Sequence, residues 1–429
     1  MNKQRKIFNL AVCSALVMAM HSPALAAGQS QEDLLLQMQK LIEDQRARLD
    51  RQDNEIAQLK EQMAALAGKT EDNTEKITKV ESLKLDKVVT SSSSKVNVDL
   101  YGQVNRAFLW ADDGNSSRGY FVDNNNSSTR WGLKARGKVN DDVSLGGWLE
   151  GEMITNNSRS INQLERNPDA TDWYKSRHLE FDIASKRFGT LWLGKGFTAS
   201  DGTSQNDLSG TTVAGYSDIV AVGGGYYFYD NKTGLSTVTV NSVFNDMDGL
   251  SRRDRIRYDS PDVAGFSLST SAMSDAYDAA INYNREFPGF KVKSALAWAK
   301  PGDFISSVDN QYNGSLAILL NCGFNVAVSA GVRDQVVDTR DDATFWYTKL
   351  GYSMDLFDAG KTSFAADYGE YYDIAMDDDT STTFSLAAVQ AVKELGTEFY
   401  LSYRLYKLER DTTDFEDINL VLTGARIKF

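Results

Sequence analysis

The stretch VNVDLYGQVN, residues 96–105, alternates apolar and polar side chains with a period of two. Its even-numbered positions carry Val, Leu and Gly, and its odd-numbered positions carry Asn, Asp, Tyr and Gln. Such alternation is typical of a β-strand that separates an apolar environment from a polar one. The pattern recurs along the chain, notably over residues 130–139, 178–183 and 399–405. Residues 96–429 therefore predict one all-β domain.

A soluble sandwich shows the same alternation as a membrane barrel, so the turns and loops must separate the two. Eight short turn candidates alternate with long loops rich in Asp, Asn, Ser and Thr, the pattern of outer-membrane barrels. We expect an antiparallel transmembrane β-barrel with 18 strands, or 16 if the hairpin over residues 225–244 folds differently. The turn candidates are residues 140–142, 186–189, 231–234, 261–265, 287–289, 321–323, 358–360 and 393–396.

The N-terminus predicts an export signal over residues 1–26. Lys3, Arg5 and Lys6 precede an apolar run, and Ala24-Leu25-Ala26 supplies small residues at a cleavage site. A single anchoring helix is the alternative, but the apolar run is short for a membrane span.

The segment after the signal predicts a coiled coil over residues 27–85. Apolar side chains follow the 3-4 spacing of heptads between charged neighbours, and polar Gln residues at two seam layers argue against a lone surface helix. A Ser-rich linker, residues 86–95, follows it. The seam consists of Leu35, Met38, Ile42, Leu49, Ile56, Leu59, Met63 and Leu66.

Composition excludes several classes of protein. The 429 residues include two Cys and two His, too few for a disulfide scaffold or a zinc site, and we expect neither metal nor cofactor. The net charge of −13 argues against nucleic-acid binding. Once the signal is removed, His178 and Cys322 are the last residues of their kinds, and the sequence assigns no role to Cys322. His178 beside Glu180 suggests a general base, but we expect no enzyme.

Four motifs resemble the trimeric general porins of Gram-negative bacteria. They follow one another in the order of that family, and the coiled-coil prefix resembles the N-terminal extensions of phosphate-selective and sucrose porins. The last motif is similar to the terminal signal, ending here at Phe429, that the barrel-assembly machinery reads. The four are Ser128–Lys134 (STRWGLK), Phe188–Lys195 (FGTLWLGK), Arg257–Phe266 (RYDSPDVAGF) and Thr423–Phe429 (TGARIKF).

This resemblance implies a homotrimer in the outer membrane, in contact with lipids and lipopolysaccharide. It places the coiled coil in the periplasm, where peptidoglycan is a candidate partner. It also implies that residues 196–223 form a loop that folds inward and constricts the lumen. That loop carries Asp201, Asp207 and Asp218 and has no Lys or Arg.

A basic wall is expected opposite the loop. Strand alternation places two groups of basic residues on the lumen face, because Arg on the lipid face costs about 2–4 kcal/mol at mid-depth. The alternative is that these residues merely solvate a wide lumen or bind lipopolysaccharide phosphates. The expected wall residues are Arg130, Lys134, Arg136, His178, Arg253, Arg255 and Arg257.

Two functions follow from this organisation. The first is a porin for passive diffusion of ions and small hydrophilic solutes, and the second is a structural anchor that tethers the envelope through its coiled coil. The sign of the ion selectivity stays open, since the wall favours anions and the total charge favours cations. No sugar slide is expected, because Tyr101, Trp148 and Tyr400 are scattered along the sequence.

Overall fold

The computed structural model describes residues 95–168, 173–337 and 339–429, together with Lys40 and Glu43. The predicted signal peptide, the coiled-coil seam and all but the last residue of the Ser-rich linker lie outside the described residues. Within the described part of the chain, no helix has the length and apolar character needed to cross a membrane.

Antiparallel strands make up most of the described chain. Among the described residues from 95 onward, the one α-helix, α1, is one turn long (Val240–Val243). Short 3₁₀ turns occupy Asn125–Ser127, Ile219–Ala221, Gly302–Ile305 and Lys393–Leu395. The strands are β1 (Val96–Asp112), β2 (Ser117–Asp123), β3 (Arg130–Lys138), β4 (Val143–Met153), β5 (Tyr174–Ser185), β6 (Gly189–Phe197), β7 (Tyr227–Asp230), β8 (Gly234–Thr239), β9 (Arg252–Asp259), β10 (Phe266–Met273), β11 (Ala276–Glu286), β12 (Phe290–Lys300), β13 (Val308–Leu320), β14 (Phe324–Gln335), β15 (Ala343–Phe357), β16 (Gly360–Tyr372), β17 (Thr380–Val392), β18 (Thr397–Glu409) and β19 (Ile418–Lys428).

Sixteen of these strands close into a barrel. Each pairs with its neighbours in the ring, and β1 closes the ring by pairing with β19 along one edge. On its other edge β1 pairs with β3 through its first half and with β2 through its second half. Strand β2 therefore lies outside the ring, and β7 and β8 form a separate two-stranded sheet.

The expectation of an antiparallel β-barrel is confirmed, but the favoured count of 18 strands is wrong. The hairpin over residues 225–244, which the higher count includes, forms β7 and β8 apart from the ring. Its apolar residues Phe228 and Val240 are fully buried in a cluster with the barrel wall, so they are not available to face lipid. Seven of the eight turn candidates join consecutive ring strands, and the eighth, residues 231–234, joins β7 to β8.

The alternation of the sequence becomes two different surfaces of the ring. In β18 the side chains of Phe399 and Leu401 are 53% and 52% exposed, whereas that of Tyr400 between them is 3% exposed. Large apolar side chains on the outside and polar side chains inside match a wall between lipid and a wet lumen.

Arg106 is a charged residue on the outer phase of β1, and β2 explains how it is accommodated. Its Nη1 lies 2.6 Å from a carboxylate oxygen of Asp123, the last residue of β2, and donates to Thr155 Oγ1 at 2.6 Å. The extra strand thus supplies the counter-ion that an outward arginine needs.

Candidate functional site: the lumen

The long connection from β6 to β9, residues 198–251 (the inner segment), packs against the inward face of the barrel. Ser315 on β13 donates to the carbonyl of Thr203 at 2.6 Å and accepts from the backbone N–H of Asn206 at 3.1 Å. On β18, the Tyr406 hydroxyl lies 2.7 Å from the carbonyl oxygens of Ile219 and Val222. The segment is therefore attached to the inner wall at two separate strands.

An ion pair anchors the middle of the inner segment. Lys349 on β15, whose side chain is fully buried, places Nζ 2.7 Å from Asp207 and also donates to the carbonyl of Gly215 at 2.7 Å. Burial alone raises the pKa of Asp207, but the charge of Lys349 and hydrogen bonds from Ser209 outweigh it, so the pKa falls below its ordinary value. Asp207 is accordingly ionised and held by a cation.

Apolar contacts add to this anchoring. The ring of Phe244, in the inner segment, lies 5.0 Å from that of Tyr371 on β16 and 5.3 Å from that of Tyr406 on β18, between centroids. Edge-to-face and tilted contacts at these distances are favourable. One buried apolar cluster joins the segment to the inner faces of β15–β19 and β1, and that side of the interior is filled.

The remaining space includes a cavity of about 590 Å³ with charged walls, the upper chamber. Residues of the inner segment contribute most of its carboxylates, and ring strands contribute most of its guanidinium groups. The charged lining residues are Arg130, Arg159, Arg177, Arg252, Arg333, Glu152, Asp201, Asp218, Asp246 and Asp248.

The arginines of the upper chamber differ in how far they are neutralised. Arg177 lies 2.5 Å from Glu150 and 3.2 Å from Glu152, so its charge is paired. The nearest approach of Arg130 to Glu150 is 3.6 Å, too long for a hydrogen bond. The Nε of Arg252 is buried without a hydrogen-bond partner among the described residues, and the guanidinium carbon lies 4.5 Å from the ring centroid of Phe197. Arg252 therefore presents an unpaired charge to the chamber.

The carboxylates on the opposite side are less readily ionised. Burial, followed by the nearby charge of Asp218, raises the pKa of Asp246 to about 7, although Gln205 donates to it at 2.7 Å. Burial and the neighbouring Asp201 raise the pKa of Asp248 well above its ordinary value. With Asp246 partly protonated near neutral pH, the charge of the chamber shifts toward positive, and the raised pKa of Asp248 acts in the same direction.

A second cavity of about 420 Å³, the lower chamber, adjoins the first. Tyr101, Lys134 and Trp148 line it, and three of its lining residues also line the upper chamber. The shared residues are Arg130, Arg177 and Phe197.

The lower chamber contains several of the residues expected on the wall. The ammonium of Lys134 lies 4.0 Å from the ring centroid of Trp148, and the Trp148 ring also stacks in parallel on His178 at 3.6 Å between centroids. His178 is buried, and its Nδ1 lies 2.7 Å from Glu180. Arg130 lines both chambers, while Arg136 is paired with Asp182 closer to the turn end of β3.

The three arginines expected on the lumen face of β9 do not form one row of charges along the passage. Arg255 is buried, and its Nη2 donates to Glu180 at 2.5 Å. Arg257 lies 2.8 Å from Asp259. Arg253 packs over the ring of Phe304 at 4.1 Å and lines neither chamber. The β9 arginine that faces the upper chamber is Arg252, which directly opposes Phe197 in the ladder with β6.

The three expected loop carboxylates are also separated. Asp201 lines the upper chamber, where burial raises its pKa. Asp218 lines it too and is paired with Arg159. Asp207 does not line either chamber and is ion-paired with Lys349. At the end of the chain, Phe429 pairs through its backbone with Gly102 of β1 and exposes its side chain.

Several charged residues of the chambers were not anticipated from the sequence. Arg177 is the extra residue of a bulge in β5, because Glu150 opposes His178 while the next residue of β4 opposes Ser176. Asp246 and Asp248 follow the hairpin that was expected to cross the membrane. Across the described ranges, no group of three or more His, Cys, Asp or Glu residues is arranged to hold a metal ion.

A family model described as Gram-negative porin matches residues 88–411. The chain belongs to the Gram-negative porin family. This membership, together with the barrel, makes it an outer-membrane channel for small solutes.

Solved structures share the fold of this porin at low sequence identity. The anion-selective porin from Comamonas acidovorans matches with a TM-score of 0.53 and 16% identity, over 78% of this chain and 100% of that one. The outer-membrane channel DcaP of Acinetobacter baumannii matches with 0.51 and 13%, over 79% and 99%. The trimer form of OmpT from Vibrio cholerae matches with 0.50 and 15%, over 78% and 100%. A search of curated proteins returned no match.

Proposed function

We propose that this porin is a water-filled channel for passive diffusion of ions and small hydrophilic solutes, narrowed by its inner segment. The observation that carries the proposal is the attachment of that segment to the inner wall through Lys349, Ser315 and Tyr406. A loop held in this way leaves a charged passage on one side of the lumen. The expected constriction loop, residues 196–223, begins with the last two residues of β6, and the rest of it is the first part of this segment.

Within that channel we propose a modest preference for anions. Because Arg252 is unpaired and the pKa values of Asp246 and Asp248 are raised, the passage is more positive than a count with every carboxyl group ionised would give. A similar fold belongs to a porin named anion-selective, which supports the same sign. Fixed charge of one sign along a narrow aqueous path attracts ions of the other sign.

Conductance across a planar lipid bilayer tests the channel. We expect stable single-channel steps and, under a salt gradient, a reversal potential of the sign that anion preference gives. A correctly folded but electrically silent barrel would overturn the channel proposal, and a cation-selective potential would overturn only the preference.

The assembly is proposed to be a homotrimer, and the trimer form of a similar barrel supports it. We propose lipids and lipopolysaccharide as its surroundings and the barrel-assembly machinery, reading Phe429, as its insertion partner. Deleting residues 31–85 separates the contributions to assembly. A trimer that survives the deletion assigns trimerisation to the barrel, and a monomer assigns it to the coiled coil.

We propose a second role for the expected periplasmic extension, as an anchor to peptidoglycan. A coiled coil of about 50 residues, as the heptads predict, would extend about 75 Å at 1.5 Å per residue, enough to reach toward the cell wall. Co-sedimentation of the whole protein, and of the deletion variant, with purified peptidoglycan tests this role. Equal sedimentation of both would exclude the extension as the binding element.

For His178 we propose no catalytic role, since Glu180 and Trp148 hold its ring in place.

A further inference from the structure

Three side chains lie where the two chambers meet. The upper and lower chambers share Arg130, Arg177 and Phe197. The other residues of the upper chamber belong mainly to the inner segment and the loop end of the barrel, whereas Tyr101 and Lys134 of the lower chamber lie toward the turn end of β1 and β3. A solute that moves from one chamber to the other must therefore pass these three side chains, which we call the neck.

The ring of Phe197 is fixed on several sides. Arg252, its direct partner across the β6–β9 ladder, covers it at 4.5 Å. His178 meets it edge-on with ring centroids 4.6 Å apart, and Trp148, stacked on His178, meets it at 6.2 Å. Phe197 is also the last residue of β6, so the barrel wall holds its backbone. These contacts hold the ring in its position at the neck.

The two arginines of the neck are fixed in a different way. Arg177 is tied to two carboxylates, Glu150 and Glu152, and Arg130 faces the first of them. Replacing either arginine changes the charge of the passage, and replacing Arg177 also removes an ion-pair partner of Glu152. Phe197 is the member of the neck whose size can be changed without changing any charge.

We propose that Phe197 sets the size limit of the channel, as the side chain that closes the neck against solutes too large to pass Arg130 and Arg177. The proposal rests on the proposed channel function. The aromatic side chain of Phe197, on the barrel wall, sets the size limit. The inner segment then confines solutes to the side of the lumen along that wall.

The test is the swelling of liposomes that contain the full-length protein, in a series of uncharged sugars of increasing size. Uncharged solutes separate size from electrostatics. For Phe197→Ala we expect the largest sugar that enters to shift upward, and for Phe197→Trp we expect it to shift downward. The downward shift matters because a loosened inner segment can only widen the passage.

Phe304→Ala is the matched control. Phe304 also carries a stacked guanidinium, that of Arg253 at 4.1 Å, but lines neither chamber, so its removal should leave the size limit unchanged. The proposal is overturned if Phe197→Ala and Phe304→Ala share the wild-type limit, or if Phe197→Trp fails to lower it. Wild-type entry of the smallest sugar tests the channel itself, and without that entry both proposals fall.

Discussion

The pKa of Asp246 makes ion selectivity depend on pH in a range that is simple to measure. Burial and the charge of Asp218 raise this pKa to about 7. Below it the carboxyl group is neutral, and above it the upper chamber gains a negative charge. The preference for anions should therefore be strongest in acid and should weaken as the pH rises through about 7. Asp248, whose pKa is also raised, changes the charge in the same direction.

The size of the effect follows from the geometry of a charge beside a wet passage. One charge about 8 Å from a permeating ion contributes about 0.5 kcal/mol in a water-like dielectric. The charge acts on anions and cations with opposite signs, so the difference between their energies in the passage changes by about 1 kcal/mol. The permeability ratio of anions to cations then changes roughly fivefold. Screening at about 0.1 M salt, with a Debye length of about 10 Å, halves this energy and leaves about a twofold change.

The assay is the reversal potential of the reconstituted channel under a salt gradient, at pH values well below and well above that pKa. Asp246→Asn should remove the change in anion preference near pH 7 and leave only the contribution of Asp248, since the amide oxygen still accepts from Gln205 and keeps the site in place. Asp230→Asn is the control, because a hydrogen bond from Thr233 lowers the pKa of Asp230 and this carboxylate lies outside both chambers. A wild-type ratio that does not vary with pH, or an Asp246→Asn channel that titrates like wild type, would refute the reasoning.

Three further predictions follow from the contacts of single residues. Arg252→Gln removes the unpaired charge of the upper chamber and should move the reversal potential toward cation selectivity. Lys349→Met leaves Asp207 buried without its partner, which should cost about 3–5 kcal/mol and expose the inner segment to added protease, whereas Lys349→Met with Asp207→Asn should restore part of the resistance. Gly323→Ala should lower the urea midpoint of unfolding, because φ is 93° and a Cβ would lie 2.0 Å from the Ser353 carbonyl oxygen.

Each of these predictions has an outcome that contradicts it. Arg257→Gln, at a site already paired with Asp259, should shift the potential less than Arg252→Gln, and equal shifts would argue against the special position of Arg252. Equal protease resistance of Lys349→Met and wild type would show that the ion pair does not hold the segment. Gly289→Ala meets no atom within 4 Å and should unfold like wild type, so an equal loss at both glycines would dismiss the steric argument.

The ring strands and their turns could be predicted from the sequence because their physical cause is local. A period of two follows from having lipid on one face and water on the other, and Pro261 and Pro288 lie in turns because proline cannot donate to a ladder. The prediction of 18 strands was wrong because of one hairpin, and the reason is not local. The alternation in β7 and β8 fits a strand facing lipid equally well, and only tertiary packing brings Phe228 into the interior.

The candidate site was less predictable, since strand phase is lost where strands bulge or end. Arg177 enters the upper chamber through the bulge in β5, for which the sequence carries no signal. Tyr101 and Trp148, which are far apart along the chain, meet because Gly132 stands between their strands. A Cβ at Gly132 would lie 2.5 Å from the Tyr101 hydroxyl, so the missing side chain lets the tyrosine reach across and accept from the Trp148 indole N–H.

The apolar cluster behind the inner segment has a consequence for attempts to enlarge the channel. Phe345, Tyr371 and Tyr406 face inward and are buried only because the segment covers them. Deleting the segment would expose an apolar surface along the interior wall, and apolar constrictions resist wetting. The permeability of such a trimmed barrel would be decided by whether water fills it, and a geometrically wider bore would not guarantee a larger current.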